Sequence, residues 1–387
     1  MAKVFRSQKI DWGEEEKPEK KPEVIIERPK EYQQMLPLGR AKQDWSLYHL
    51  AKTQEKRLFY KLLHELCEII EEPIEKLNGR PKARIRDLLF CLGIKLYSNY
   101  SGRKAYSDFI LAKESGIIKR TPGVNTLNDF MNLPETFDLL SKLITITALP
   151  LKELEDHFSI DSSGFGSYQY ERWTNAKWKT KRGWRNYLKG HIVIGTRTNI
   201  ICGCEITPGN FSDIRQAPSL ILKAGANFPM KEFSADKAYS GKLIHRIIHS
   251  IGAIPYIPFK YNNKEPSKDS PEIWNEMFLH FRSNQKEFME HYHKRSNVES
   301  TFAMVKVRLG EFLKCKDYTS QRSELVMKFI CHNICCLIQE MYEHNIRIDF
   351  DKANKVYVDQ KVPEELITRD ASGPQIPTPK DFTVNEN

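Results

Sequence analysis

The order of apolar segments after residue 157 limits the fold of this chain more than any other feature. Short apolar runs with strand-like residue types alternate there with longer segments of helical periodicity. The turn residues Thr198 and Asn199 separate two of the runs, which predicts a hairpin. The predicted order is strand 158–161, strand 191–197, strand 200–207, helix 214–228, strand 232–236, helix 240–252, strand 253–259 and then helices.

This order predicts an α/β fold with a ribonuclease-H-like mixed sheet flanked by helices. In such a sheet the first and fourth strands lie side by side. The sequence predicts that Asp161 ends the first strand and that Asp236 ends the fourth. We therefore expect these two carboxylates to be neighbours in space, although they are far apart in the chain.

The rest of the chain divides by composition. Residues 1–44 are rich in Glu, Lys and Pro and predict a flexible charged arm. Residues 45–154 read as an all-helical domain, residues 155–345 as the ribonuclease-H-like domain, and residues 346–387 as an extension and tail. The helical domain is either a DNA-binding domain or a packed cap with a solvated basic rim. Its basic residues are Lys76, Arg80, Lys82, Arg84, Arg86, Lys95, Arg103 and Lys104.

A third carboxylate lies in the stretch 291–310. Read as one helix, this stretch brings its polar residues within roughly 60° of one another on a single face. An adjacent apolar stripe of Val298, Phe302, Val305 and Leu309 predicts a buried face. The plainer interpretation is an amphipathic surface helix with ion pairs worth a few tenths of a kcal/mol. The polar residues are Tyr292, Arg295, Glu299 and Lys306.

Asp161, Asp236 and Glu299 together suit a divalent metal site. Hard cations such as Mg²⁺ take oxygen ligands, and two such ions can activate an attacking oxygen and stabilise a leaving one at phosphorus. Asp213 is a fourth acid nearby in sequence, but it opens a predicted helix. We expect it to cap that helix or to interact with the helix N-terminus, and we leave it out of the metal ligands.

The segments SIDSSGFG, FSADKAYSG and YHKRSNVESTFAMVK carry these three acids. The last one resembles the C-terminal signature of DDE transposases from bacterial and archaeal insertion sequences: Tyr, two residues, Arg, three residues, Glu, six residues, Lys. Asp236 and Tyr239 also match the Asp–x–x–Tyr form around that family's second acid. The resemblance covers about residues 155–340.

The resemblance implies an enzyme that cuts DNA at transposon ends and joins the 3′ hydroxyl to target DNA. By the family's pattern Asp161, Asp236 and Glu299 hold the metal, two Mg²⁺ ions with Mn²⁺ as an alternative. Arg295 and Lys306 would grip phosphates, with Tyr292 beside them. The implied partners are double-stranded DNA at terminal inverted repeats, target DNA and a second copy in a homodimer. The alternatives are a related metal-dependent nuclease and a domesticated DNA-binding protein without transposition activity.

The segment 168–190, between the first two strands, is both basic and aromatic. It holds seven Lys or Arg against one Glu. Cations follow a phosphate backbone while rings stack on exposed bases, so we expect DNA contact here; the alternative is a hairpin with inward-packed rings. The candidate residues are Trp173, Lys177, Trp178, Lys179, Lys181, Arg182, Trp184 and Arg185.

The overall composition agrees with a DNA partner. The formal net charge is +10, which favours a polyanion. A membrane helix needs about 20 consecutive apolar residues, and the sequence has no such run. The N-terminal residues also lack an apolar signal core. We therefore expect a cytoplasmic, nucleoid-associated protein with no membrane partner.

Overall fold

The computed structural model describes residues 44–73, 82–167, 187–260 and 266–362. The described residues from Trp45 onward belong to one compact unit. The predicted arm therefore lies outside the described residues apart from Asp44, and so does the tail after residue 362. Among the helices that the structure describes, none combines the length and the apolar character needed to cross a bilayer.

Helices form the described part of the N-terminal segment, as predicted. Their apolar residues recur at helical spacing, as at Leu58, Leu62 and Leu66, which are all buried. The helices are α1 (Trp45–Glu68), α2 (Ile85–Tyr97), α3 (Gly102–Glu114), α4 (Val124–Met131) and α5 (Pro134–Ala148), and a 3-10 turn at Leu149–Leu154 leads into the sheet.

A five-stranded mixed sheet follows, in the spatial order β3-β2-β1-β4-β5. This order and the flanking helices confirm the predicted ribonuclease-H-like α/β fold. The predicted hairpin is β2–β3, and Asn199 takes the left-handed backbone conformation (φ 60°) in its turn. The elements are β1 (His157–Gly166), β2 (Tyr187–Gly195), β3 (Ile201–Pro208), α6 (Asp213–Gly225), β4 (Glu232–Ala235), α7 (Lys242–Ser250) and β5 (Ile254–Tyr256).

The first and fourth strands are direct neighbours, as predicted. β1 pairs with β4 in parallel, from His157 opposite Glu232 to Ile160 opposite Ala235. On its other side β1 pairs with β2 in antiparallel register over its whole length. β1 is thus the central strand, and its residues are positioned from both sides.

Helices close the described chain, with one difference from the expected pattern. The predicted continuous helix over 291–310 is interrupted by a 3-10 turn at His293–Arg295. Tyr292 therefore ends one helix and Glu299 lies on the next, and the tighter turn contacts β1 and β4. The helices are α8 (Glu272–Ser283), α9 (Gln285–Tyr292), α10 (Ser296–Leu309), α11 (Tyr318–Glu343) and α12 (Phe350–Val356).

One hydrophobic core connects the N-terminal helices with the sheet. The long helix α11 packs against α1, α2, α4 and α5 and also against β2 and β3. Buried residues of all these elements belong to one cluster. A smaller cluster around Trp274, Phe278 and Phe288 lies under α8 and α9. The described helices of the N-terminal segment and the sheet therefore share one hydrophobic core.

Candidate active site

Two of the three predicted acids lie on adjacent strands. Asp161 is the residue after Ile160 in β1, and Asp236 directly follows Ala235, its parallel neighbour in β4. The Asp161 carboxylate accepts the Ser162 N–H at 2.8 Å, and the Asp236 carboxylate accepts the Ala238 N–H at 3.3 Å. Backbone donors therefore fix one oxygen of each side chain.

The prediction that Asp161 ends its strand was wrong, because β1 continues to Gly166. The added residues are Ser162, Ser163, Gly164, Phe165 and Gly166, which pair with the start of β2. Mostly small and polar residues carry no strand-like apolar pattern, so the extension had no sequence signal. Asp161 is consequently held inside a paired strand.

The third acid, Glu299, lies in the first turn of α10. The predicted apolar stripe is buried as expected: Val298, Phe302, Val305 and Leu309 are at most 5% exposed. The stripe anchors α10 on the core and leaves the Glu299 side chain 60% exposed. An acid on this face can reach toward the sheet or toward solvent.

Arg295 joins all three acids. One terminal nitrogen of its guanidinium lies 2.6 Å from Asp161 Oδ2 and 3.6 Å from Asp236 Oδ2. The other terminal nitrogen lies 2.7 Å from Glu299 Oε1. The structure therefore brings Asp161, Asp236 and Glu299 together around one cation. The sequence pattern placed Arg295 beside Glu299 but did not indicate this contact with both aspartates.

Partial burial shifts the pKa values of Asp161 and Arg295. Burial raises the pKa of Asp161, although the Ser162 N–H and the Arg295 charge oppose the shift. Burial acts to lower the pKa of Arg295, but the neighbouring groups Asp161, Tyr292 and Glu299 together outweigh burial, so the pKa is raised. The Asp161 side chain is 18% exposed and that of Asp236 is 38% exposed. A cation at this position thus compensates carboxylates that are only partly hydrated.

The three acids could hold a divalent metal. All their donors are carboxylate oxygens, the ligand type of hard cations such as Mg²⁺. The space between them already accommodates a positive charge, that of Arg295. The donor type and the charge of the three acids suit Mg²⁺. Their oxygens surround the Arg295 guanidinium and are not close enough together for one ion, so they would have to close around the metal as the guanidinium moves away.

Lys306 and Tyr292 lie on either side of this group along the chain. Lys306 Nζ donates to Ser163 Oγ at 2.7 Å and lies 5.1 Å from the centre of the Phe165 ring. Burial lowers the pKa of Lys306. Tyr292 packs against the small aromatic cluster beneath α8 and α9. Lys306 therefore reaches from α10 to the β1 extension, and Tyr292 borders the site from α9.

A buried ion pair that the sequence analysis missed supports the segment after α10. Lys328 Nζ donates to the carbonyls of Gly310 and Phe312, both at 2.9 Å. Glu324, on the same helix, accepts the backbone N–H groups of Lys314 and Cys315. The clamped segment in turn pairs with Gly166 of β1. The i, i+4 spacing of these charges in an apolar helix was the only available signal.

Asp213 has a different environment. It is the first residue of α6 and lies 3.0 Å from Lys189 Nζ. The N-cap position is taken by Ser212, whose side chain makes no capping hydrogen bond, and Asp213 contributes a negative charge in the first turn, which is favourable at a helix N-terminus. Asp161 and Asp213 both act to raise the pKa of the buried Tyr239, after the larger effect of burial. Although Asp213 lies near Tyr239, as Asp161 does, its ion-pair partner is Lys189 of β2.

Most of the predicted DNA-contacting loop lies outside the described residues. This applies to Trp173, Lys177, Trp178, Lys179, Lys181, Arg182, Trp184 and Arg185. Tyr187, at the loop's end, is the first residue of β2, and its hydroxyl donates to the Gly209 carbonyl at 2.8 Å. The described residues on either side of the loop therefore lie at the end of the paired strands β1 and β2, close to Ser163.

Several predicted basic residues of the helical segment have intramolecular partners. Arg84 pairs with Glu72 and Asp87, and Arg86 pairs with Glu68. Lys95 is buried, while Arg103 and Lys104 are exposed. Lys76 and Arg80 lie outside the described residues. Arg84 and Arg86 are therefore engaged in intramolecular ion pairs, and Lys95 is withdrawn from the surface.

One comparison with known proteins gave a match, and it covers the elements that carry the three acids. The family model described as the transposase DDE domain matches residues 152–334. The match includes β1 with Asp161, β4 with Asp236, and α10 with Glu299. The comparisons with curated proteins and with solved structures gave no match. The family match, together with the ribonuclease-H-like sheet, shows that this chain contains a transposase DDE domain over residues 152–334.

Proposed function

We propose that this transposase cuts DNA at the ends of its element and joins the freed 3′ hydroxyl to target DNA by metal-dependent phosphoryl transfer. The convergence of Asp161, Asp236 and Glu299 on the Arg295 guanidinium carries the proposal. Three acids on two strands and one helix form a rigid, multiply anchored set. Phosphoryl transfer depends mainly on such positioning and on compensation of charge.

The three acids would hold Mg²⁺, two ions in the full complex, with Mn²⁺ as an alternative. When bound, the metal polarises the scissile phosphate and lowers the pKa of the attacking water or hydroxyl. Asp161 and Asp236 are suited to this role because backbone N–H groups already orient their side chains. Glu299 is the most exposed of the three and can adjust its position when DNA enters.

The cations of the site have separate tasks in this proposal. Arg295 occupies the acids until metal and DNA arrive, and then turns its planar guanidinium to a phosphate near the reacting end. Lys306, held beside Ser163 on the β1 extension, provides a point charge for the next phosphate. Tyr292 packs beside Arg295 and limits where the guanidinium can move.

The DNA partners follow from the same proposal. They are double-stranded terminal repeats and target DNA, bound by a homodimer in the nucleoid. The segment 168–190 begins and ends on the β1–β2 hairpin arm next to Ser163 and Tyr187. A basic, aromatic loop at this position would reach a frayed DNA end. The net charge of +10 provides the general attraction for DNA.

The nuclease and the DNA-binding alternatives are separated by one experiment. A donor plasmid carrying the DNA that flanks this gene is incubated with the full chain, Mg²⁺ and a target plasmid. We expect cleavage at both flanks and joined products. Cleavage without joining would indicate the nuclease, and binding without cleavage would indicate the domesticated protein.

Variants assign the activity to the site. Asp161→Asn, Asp236→Asn and Glu299→Gln should each abolish cleavage while DNA binding remains. Asp213→Asn is the matched control, because Asp213 is an acid of the same fold paired with Lys189. If Asp161→Asn cleaved like the wild type, or if excess chelator left activity unchanged, the proposed site would be wrong.

A further inference from the structure

A second group of metal-ligating side chains lies at the opposite end of the paired strands β1 and β4. His157 and Glu232 begin these strands and face each other in register. His157 Nε2 lies 2.7 Å from Glu232 Oε2, and His291 Nδ1, from α9, lies 2.8 Å from the same oxygen. All three ligand atoms lie within 4.8 Å of one another. The group is about 13 Å from the Asp161 site, four residues along β1.

Neighbouring residues orient both imidazole rings. Asp156 contacts His157 Nδ1, which leaves Nε2 directed to the group. The Tyr256 ring stacks on the His291 ring, with centres 4.4 Å apart and planes 7° apart. Metal-binding histidines are commonly held by a carboxylate on their other nitrogen. Both rings are therefore already oriented for a metal ion, His157 on β1 and His291 on α9.

A cation is already attracted to this group. Lys294 Nζ contacts His157 Nε2 and lies 3.6 Å from Glu232 Oε2. Its side chain is 38% exposed, so the ammonium can leave along its flexible stem without disturbing the core. The side chains of His157, Glu232 and His291 are 17–29% exposed, which leaves a route for an ion from solvent.

We propose that His157, Glu232 and His291 form a binding site for a divalent transition ion of the zinc class, separate from the acids that hold Mg²⁺. Two imidazoles and one carboxylate are the protein ligands of one kind of four-coordinate zinc site, in which water takes the fourth position. Imidazole ligands favour such ions over Mg²⁺. The bond lengths of about 2.0–2.2 Å require the ligand atoms to separate slightly as Lys294 leaves.

The ion would have a structural effect on the catalytic acids. Only Tyr292 separates His291 from the 3-10 turn that carries Arg295 and leads to Glu299. Linking His291 to the first residues of β1 and β4 would fasten this turn to the sheet. A bound ion would therefore position the catalytic helix without touching the reacting phosphate.

The direct test is equilibrium dialysis of the untagged full chain against Zn²⁺, carried out in an Asp161→Asn background to weaken the Mg²⁺ site. We expect one tightly bound ion, a Co²⁺ complex with strong tetrahedral visible absorption, and a higher melting temperature with Zn²⁺. His291→Asn and Glu232→Gln should each weaken binding by more than about 100-fold, since each removes a ligand. His293→Asn is the matched control, an exposed histidine two residues away, and should bind as the parent does.

Two further variants keep the proposal testable if the ligand variants fold poorly. Lys294→Gln removes the competing ammonium and should tighten Zn²⁺ binding. Asp156→Asn removes the carboxylate on His157 and should weaken it about tenfold. Absence of stoichiometric Zn²⁺ in the Asp161→Asn protein would overturn the proposal. So would binding that His291→Asn and Lys294→Gln both leave unchanged. Neither result would affect the strand-transfer test, because that activity depends on the other acids.

Discussion

Removal of the Arg295 guanidinium should separate its electrostatic role from its role in catalysis. In Arg295→Ala the partly buried Asp161 loses its closest cation, at 2.6 Å, and Asp236 and Glu299 lose theirs. Breaking a fully buried pair costs about 3–5 kcal/mol and an exposed pair about 0–1 kcal/mol. Asp161 is 18% exposed and Glu299 is 60% exposed, so we expect an intermediate loss. Our figure is about 2 kcal/mol of unfolding free energy without metal.

Metal should reverse this loss. Mg²⁺ neutralises the same carboxylates, and a ligand at 100 times its Kd stabilises the folded state by about 2.7 kcal/mol. In the wild type the ion must first displace Arg295, so Mg²⁺ should raise the melting temperature of Arg295→Ala by more than that of the wild type. Strand transfer should still fall by on the order of 10²-fold, because the phosphate contact is lost.

The assay is thermal unfolding with and without saturating MgCl₂, together with strand transfer of a pre-cut end. About 2 kcal/mol corresponds to roughly 3 °C in melting temperature for a unit of this size. The matched control is Arg246→Ala, which removes an exposed arginine of α7. If Arg295→Ala melts like the wild type in chelator, and Mg²⁺ shifts both equally, then Arg295 does not neutralise the acids. Full strand transfer by this variant would also refute its phosphate role.

Three other perturbations test the fold and the DNA contact. Phe302→Ala should lower unfolding free energy by about 3–5 kcal/mol, because the ring is only 5% exposed; a smaller loss in urea unfolding would mean that the helix is weakly anchored. Burial lowers the pKa of His191, His245 and His332 to about 4. The unfolded chain therefore binds more protons between about pH 6.5 and 4, so stability should fall as the pH falls through this range, by about 2 kcal/mol per histidine at pH 5. Equal urea midpoints at pH 7 and pH 5 would contradict this. In the segment 168–190, alanine should replace the four cations Lys177, Lys179, Lys181 and Arg182. This variant should show a flatter salt dependence of DNA binding, because fewer phosphate contacts release counterions. An unchanged slope in a filter-binding titration would mean that DNA is contacted elsewhere.

The sequence predicted those parts of the molecule that depend on local patterns. The spacing of Val298, Phe302 and Val305 predicted the buried face of α10, and all three are buried. The order of strands and helices predicted that β1 and β4 are neighbours, because few connections are compatible with that order. Asp161 and Asp236 could therefore be placed near each other before any coordinates were known.

Other features had weak or no local signals. The β1 extension from Ser162 to Gly166 consists mostly of small and polar residues, and its pairing with β2 alone makes it a strand. The 3-10 turn at His293–Arg295 replaces helix where the chain meets β1 and β4. Neither proline nor glycine marks it. Contacts with the sheet decide the local conformation there.

The sequence by itself determined the fold class. It also identified the side chains able to do chemistry and the apolar faces on which the helices pack. Only the tertiary structure decided which of those residues meet. Arg295 and Asp161 are 134 positions apart and yet share a hydrogen bond. His157, Glu232 and His291 have no common motif, and the strand register brings them together. The physical reason is that periodicity reports only whether a residue is buried, whereas a charge's partner depends on the packing of distant elements.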